Sequence, residues 1–300
     1  PAERDGTACA TSSGAAARRP TVAATPQHRR PTMPQPPEDP RRLPNEVGRE
    51  IRAHPVRQVS PNGPMRWLAR GWADLMRCPV PGLLHGLAMA GFGALLVALA
   101  RERFWLLAGA FSGFLLVAPI VATGLYAVSR ELEAGRRATL ATALAAWRPR
   151  DHRLVVFGLL LALAGTGWVL TSAALITRFA SAPVNTPGDF VRVVMLGSDL
   201  GLFGLFEVWL IGGAALAAPI FASSVVAIPL LMDRGIAVRP AVLVSVRAAL
   251  VNPLPMALWA TLILLFTLLG MATAMLGLVV AVPWLAHASW HAYRDLAGRE

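Results

Sequence analysis

From Pro253 to Tyr293 the chain carries no charged residue. At a rise of about 1.5 Å per residue, one helix of that length would be about twice as long as the ~30 Å hydrocarbon layer of a bilayer. The run must therefore fold back, and Gly270 or Gly277 marks the expected turn. Composition points the same way. Apolar residues make up 55% of the chain and charged residues 15%, too apolar a balance for an ordinary soluble domain.

Long apolar runs recur upstream. Their lengths predict an all-α, polytopic integral membrane protein with six transmembrane helices, roughly 81–100, 104–128, 154–176, 200–221, 254–272 and 275–293. Pro219 and Pro229 are expected to kink the fourth and carry its end into the interface.

Every basic residue is Arg, and the Arg distribution sets the orientation. Segments 1–80, 129–153, 233–253 and 294–300 hold 13, 6, 3 and 2 of them, whereas the opposite loops hold only Arg101, Arg103, Arg178 and Arg192. Positive charge stays inside, so both termini are expected in the cytoplasm of a bacterial inner membrane. The net charge of +11 flanks apolar spans and forms no base-stacking patch, which argues for lipid as partner and against nucleic acid.

The spans are organised as an internal repeat. Pro119, Ala122, Tyr126 and Arg130-Glu131-Leu132 recur as Pro283, Ala286, Trp290 and Arg294-Asp295-Leu296, at a constant offset of 164. Ala118-Pro119-Ile120, Glu133 and Gly135 recur as Ala218-Pro219-Ile220, Asp233 and Gly235, at an offset of 100. Each odd-numbered span follows an amphipathic stretch. In 62–77 the apolar face is Leu68, Trp72, Leu75 and Met76, with Arg66, Arg70, Asp74 and Arg77 on another side. Leu140, Leu144 and Trp147 form the second such face, and Val242, Val246 and Leu250 the third. The predicted unit is an interfacial helix followed by a hairpin of two spans, in repeats of about 62–135, 138–235 and 240–296.

Residues 61–297 form the expected membrane domain. Residues 1–60 are rich in Pro, Ala, Thr and Arg, and read as a disordered basic cytoplasmic tail. The chain begins at Pro1, and Met33 is a candidate start. Cys9 and Cys78 give no disulfide framework and no zinc motif. Thr186-Pro187-Gly188-Asp189 has the spacing of a capped helix start, and Phe190, Val191 and Val194 are expected to face inward after it.

The C-terminal His287-Ala288-Ser289-Trp290-His291-Ala292-Tyr293-Arg294 carries a resemblance, together with Trp67–Trp72, Phe114–Arg130 and Asn252-Pro253-Leu254-Pro255-Met256. Through these pieces, residues 56–297 resemble a domain-of-unknown-function family of bacterial, mainly proteobacterial, predicted integral membrane proteins that end in this signature. The resemblance implies a membrane class and no activity.

Chemistry-bearing side chains are few. His287 and His291 stand four apart on the last span, and His85 lies at a similar depth in the first. The three are the candidate ligands for a metal or a haem edge. The alternative is an aromatic interfacial belt with Trp284, Trp290 and Tyr293. Glu207 is expected inside the fourth span, where a carboxylate should face the bundle interior, with Asp199 nearer the outer surface. Arg130, Glu131, Arg294 and Asp295 read as interfacial anchors. Gly91, Gly93, Gly109, Gly113, Gly165, Gly167, Gly212 and Gly213 read as close helix contacts. No phosphate loop, nucleophile elbow, HExxH or dinucleotide fingerprint is present, so no catalytic residue is assigned and no cofactor is expected. The function read from the sequence is non-enzymatic: passage of a small solute or ion, or organisation of lipid or partner proteins. Haem or metal binding is the alternative.

Overall fold

The computed structural model describes residues 42–100, 122–146, 152–197 and 203–297. Among them every regular element is helical. Besides a short helical segment at Pro187–Asp189 and Phe190–Met195, in chain order these are α1 Arg42–Ala53, α2 Gly63–Arg77, α3 Pro79–Ala100, α4 Thr123–Glu133, α5 Leu140–Ala145, α6 His152–Phe179, α7 Leu205–Ser224, α8 Ala227–Asp233, α9 Val238–Val251, α10 Pro253–Ala272 and α11 Leu278–Leu296.

Four stretches among the described residues are long and apolar enough to cross a bilayer: Pro79–Ala98, His152–Phe179, Leu205–Asp233 and Pro253–Ala272. They coincide with four of the six expected spans. The expected span 104–128 lies largely outside the described residues, as do Pro119, Gly109 and Gly113, and α4 carries its end. The expected span 275–293 forms α11, which is not among the four. Its second half holds His287, Ser289, His291, Tyr293, Arg294 and Asp295, and 12 of its 19 residues are buried inside the protein.

The uncharged run does fold back, between α10 and α11. The left-handed backbone there falls on Ala274 (φ 51°) and Met275 (φ 69°) rather than on glycine. Gly270 and Gly277 serve close approach instead. A Cβ on Gly277 would sit 2.8 Å from the Cα of Gly270.

α11 is the pillar of the bundle. α2 and α3 make the broadest contacts with it, followed by α4 and α10. Both contacts run through glycine. A Cβ on Gly71 of α2 would lie 2.5 Å from the backbone nitrogen of Ala288. A Cβ on Gly86 of α3 would lie 2.1 Å from the carbonyl oxygen of Val279. That carbonyl is four residues before Pro283, whose ring nitrogen cannot donate to it, so the proline frees an oxygen and α3 packs against it. Neither glycine was singled out from the sequence. Two that were, Gly91 and Gly167, meet open space.

The amphipathic faces also shift. In α2 the buried side is Trp67, Leu68, Gly71, Asp74 and Leu75, while Trp72 and Met76 are exposed. α2 therefore has two apolar sides, one against α11 and one facing out. In α9 the buried side is Ala241, Val244, Ser245 and Ala248, and Leu250 is exposed. On α9 the small residues let backbones approach, and Leu250 is left for lipid. Ser245 repairs the break between α7 and α8. Its hydroxyl accepts from Val226 N–H at 3.0 Å and donates to the Ala222 carbonyl at 2.7 Å. Pro219 sits inside α7, and Pro229 lies near the start of α8, beyond that break.

Residues 42–59, assigned from composition to the tail, include a helix and contacts with the membrane domain. α1 packs on α9. Asn252 holds the strand of chain that follows: its side-chain amide donates to the Arg57 carbonyl (3.0 Å), and its carbonyl oxygen accepts from Val59 N–H (2.8 Å). At the other end, Thr186 and Asp189 cap one another reciprocally, as the spacing predicts. The turn that follows is π-helical, Phe190–Met195; Val194 is buried and Val191 exposed.

Candidate functional site

Three helices bring a polar cluster onto one face of α11. The i, i+4 spacing of His287 and His291 aims both rings at α2, α3 and α4. Asp74, on the buried side of α2, accepts from His291 Nε2 at 2.8 Å. Ser129 of α4 donates its hydroxyl proton to the same carboxylate oxygen at 2.8 Å. That leaves the Ser129 oxygen as acceptor for His287 Nδ1–H, also at 2.8 Å. His85 of α3 donates from Nδ1 to the Pro81 carbonyl at 2.8 Å. Ser129 and His287 are fully buried.

These bonds dictate tautomers. A carbonyl only accepts, so His85 carries its proton on Nδ1, with Nε2 beside Gly124. The single Ser129 proton goes to Asp74, so neutral His287 is protonated on Nδ1. Its Nε2 is then a bare lone pair, buried without a partner, as is Nδ1 of His291. Burial alone would raise the Asp74 carboxyl. The hydrogen bonds from His291 and Ser129, joined by the positive field of either imidazole when it is protonated, outweigh it and hold the group below its ordinary value.

An ionic collar stands beside the cluster, where α4, α8 and α11 end. Glu133 accepts from Trp290 Nε1 at 3.1 Å and pairs with Arg294 at 3.1 Å. Asp233 accepts from Tyr293 at 2.8 Å and lies 3.8 Å from both Arg130 and Arg294. Asp295 pairs with both terminal nitrogens of Arg70 and accepts from Trp67 Nε1 at 2.9 Å. Arg130, Arg294 and Asp295 thus clamp helices together, whereas Glu131 pairs with nearby Arg136 in the exposed turn.

A cavity of about 290 Å³ opens among the helices. Its walls are almost wholly apolar, with Met89, Leu161, Phe221, Ile263 and Leu285 from five helices. Tyr126, hydrogen-bonded to Ser289, gives the wall its main polar spot.

The structure therefore gathers His85, His287 and His291 into one buried cluster and adds Asp74 and Ser129, which sequence reasoning missed. Asp74 had been placed with the arginines of α2. A lone acid among three arginines was the available signal. Among the described residues no group of three or more His, Cys, Asp or Glu side chains is arranged to hold a metal ion. Glu207 lies elsewhere. The helix α7 starts at Leu205, so Glu207 occupies the first turn and is exposed, where an acid complements the helix dipole. It does not face the bundle interior. Asp199 lies outside the described residues.

No curated protein and no solved structure matches the chain. Residues 106–233 match a family described as "Predicted integral membrane protein (DUF2189)". The matched stretch holds two of the four described helices that are long and apolar enough to cross a bilayer, and it ends before His287–Arg294. The central part of this chain is thus similar to a membrane family of unknown function.

Proposed function

We propose that this chain is a six-span bacterial inner-membrane protein, non-enzymatic, that holds a small apolar molecule in its central cavity for passage or storage within the membrane. The observation that carries the reading is the cavity itself. It is almost entirely apolar, lined by seven helices, with one Tyr126–Ser289 hydroxyl pair to orient a ligand. The three-hairpin repeat, with both termini cytoplasmic, is part of the same reading. In its favour, Glu133, Asp233 and Arg294, which close the three repeats, meet in one collar. The match of residues 106–233 to a predicted integral membrane family supports the class.

The test is extraction of the detergent-purified protein, with mass spectrometry of the lipophilic molecules retained. One species enriched over the surrounding lipid, and depleted in Ile263→Trp, is expected. Identical profiles for the native and cavity-filled proteins would contradict the reading.

A second reading is metal or haem binding through His85, His287 and His291. It rests on the buried, unpartnered Nε2 of His287. Because no ready ligand set exists among the described residues, it requires the imidazoles to turn on binding. A Soret band or stoichiometric metal, lost in His287→Ala, would favour it. A colourless, metal-free preparation from metal-replete cells would count against it.

A further inference from the structure

The central cavity follows one face of α11. Leu278, Val282, Leu285 and Ser289 line it at i, i+4, i+7 and i+11, a length of about 16 Å at about 1.5 Å per residue. On α10, Ile263, Thr267 and Met271 line it at i, i+4 and i+8. The cavity is therefore drawn out along the helices. Its volume of about 290 Å³ stands at the small end of ligand pockets, which run roughly 300–1,000 Å³. A single hydrocarbon chain fits that shape, and a two-chained phospholipid does not.

Hydroxyl groups gather at one end. Ser289 is the last lining residue on α11, Tyr126 of α4 meets it there, and Ser224 ends α7 on the same side, toward the ionic collar. The two serine protons are committed to backbone. Ser289 donates to the Leu285 carbonyl at 2.8 Å, and Ser224 to the Phe221 carbonyl at 3.3 Å. Ser289 therefore meets Tyr126 as an acceptor, and the phenol proton goes to it. This end of the cavity is left with oxygen lone pairs. Thr267, the other polar side chain among the described lining residues, stands nearer the fold-back between α10 and α11. No Asp, Glu, Arg or His is among those residues.

That arrangement selects among head groups. An ionised head would be buried without a counter-charge, which is strongly unfavourable. An ether or ketone only accepts, so it would face lone pairs with its own acceptor unmet. A hydroxyl donates into those oxygens and fits. We infer that the cavity takes a neutral, single-chain lipid with a terminal hydroxyl, of the long-chain alcohol class, its head at Tyr126 and Ser289 and its tail toward Met271 and Leu278. The inference rests on the proposed function, that this cavity holds a lipophile, and adds its chemical class and its direction.

The test uses the full-length protein in phosphatidylcholine nanodiscs, free of single-chain detergent. The probe is hexadecanol with a diazirine at the end away from its hydroxyl; adducts are mapped by peptide mass spectrometry, with hexadecanol, its methyl ether or palmitate as competitors. Saturable adducts are expected at Met271 and Leu278, displaced by hexadecanol about tenfold more effectively than by the ether, the effect of about one hydrogen bond. Palmitate at pH 8 should compete no better than the ether. Tyr126→Phe removes a hydroxyl and Ser289→Ala frees the phenol proton to donate. Each should close the gap between alcohol and ether, the second by strengthening the ether. Absence of saturable adducts on any cavity residue would remove the cavity reading and this inference with it. Saturable adducts with alcohol and ether equal, with palmitate matching the alcohol, with the gap unchanged in both variants, or with the tail mapped to the Tyr126 end would overturn the inference and leave the cavity reading standing.

Discussion

α6 and α11 invert the usual relation between apolarity and burial. α6 runs 28 residues from His152 to Phe179 and buries only Phe157, Leu161, Gly165, Ser172 and Ile176. Leu159, Leu163 and Leu170 stand 65–71% exposed. α11 is shorter, carries two histidines, a serine and two charged residues paired to other helices, and is mostly buried. In water this pattern would be a folding failure. In a bilayer the solvent is hydrocarbon, so the greasiest faces turn outward and the polar groups, which need partners, turn in. High hydropathy therefore marks lipid contact on α6, while the buried face of α11 mixes large side chains such as Trp290 and Leu296 with small and hydrogen-bonding residues.

The largest expected difference between the two helices is steric. Gly86→Leu would drive a side chain into the Val279 carbonyl and push α3 off α11. Little folded protein should survive size-exclusion chromatography in detergent. Gly167→Leu on α6 meets open space and should elute like the parent.

Next in size is the buried cluster. Asp74→Ala strands His291 and Ser129 without their acceptor and should cost about 3 kcal/mol, read as a lowered melting temperature. The same group sets a pH dependence. Its carboxyl is held below its ordinary value of 3.8, so its stabilisation is fully present above pH 3.8 and is lost as pH falls through the lower folded value. Melting temperature should fall in that acid range for the parent. Asp74→Asn should show a flatter profile there.

Smaller again is Ser245→Ala. It leaves Val226 N–H and the Ala222 carbonyl unbonded at the α7–α8 break and should cost about 1–2 kcal/mol. Leu163→Ala, on the lipid side of α6, removes almost no protein contact and should shift stability by less than about 0.5 kcal/mol.

The same inversion explains what the sequence made legible. Four span positions and the fold-back after α10 follow from length and charge alone, because a bilayer imposes both. The capping of Thr186 and Asp189 follows from local spacing. His85, His287 and His291 were visible as intramembrane polar groups, since any such group must find an interior partner. Their partners were not. Asp74 belongs to a helix that looked like a surface strip, and its inward rotation depends on Gly71 letting α2 meet the backbone at Ala288. Ser129 is an ordinary serine until α4 meets α11. The face of α2 was half legible, since Leu68 and Leu75 are buried as expected while Trp72 and Met76 are exposed, and α9 was misjudged because it buries Ala241, Ser245 and Ala248 beside Val244. Glu207 was misplaced because the apolar run begins before α7 does.

The most direct test leaves the chain unaltered. The protein is reconstituted in liposomes with a lipid-soluble diazirine, photolysed, and mapped by peptide mass spectrometry. Carbene adducts should concentrate on Leu159, Leu163 and Leu170 of α6 and be nearly absent from Leu285–Tyr293 of α11. Labelling of Leu285–Tyr293 equal to or above that of α6 would contradict the assignment of α11 as the buried pillar.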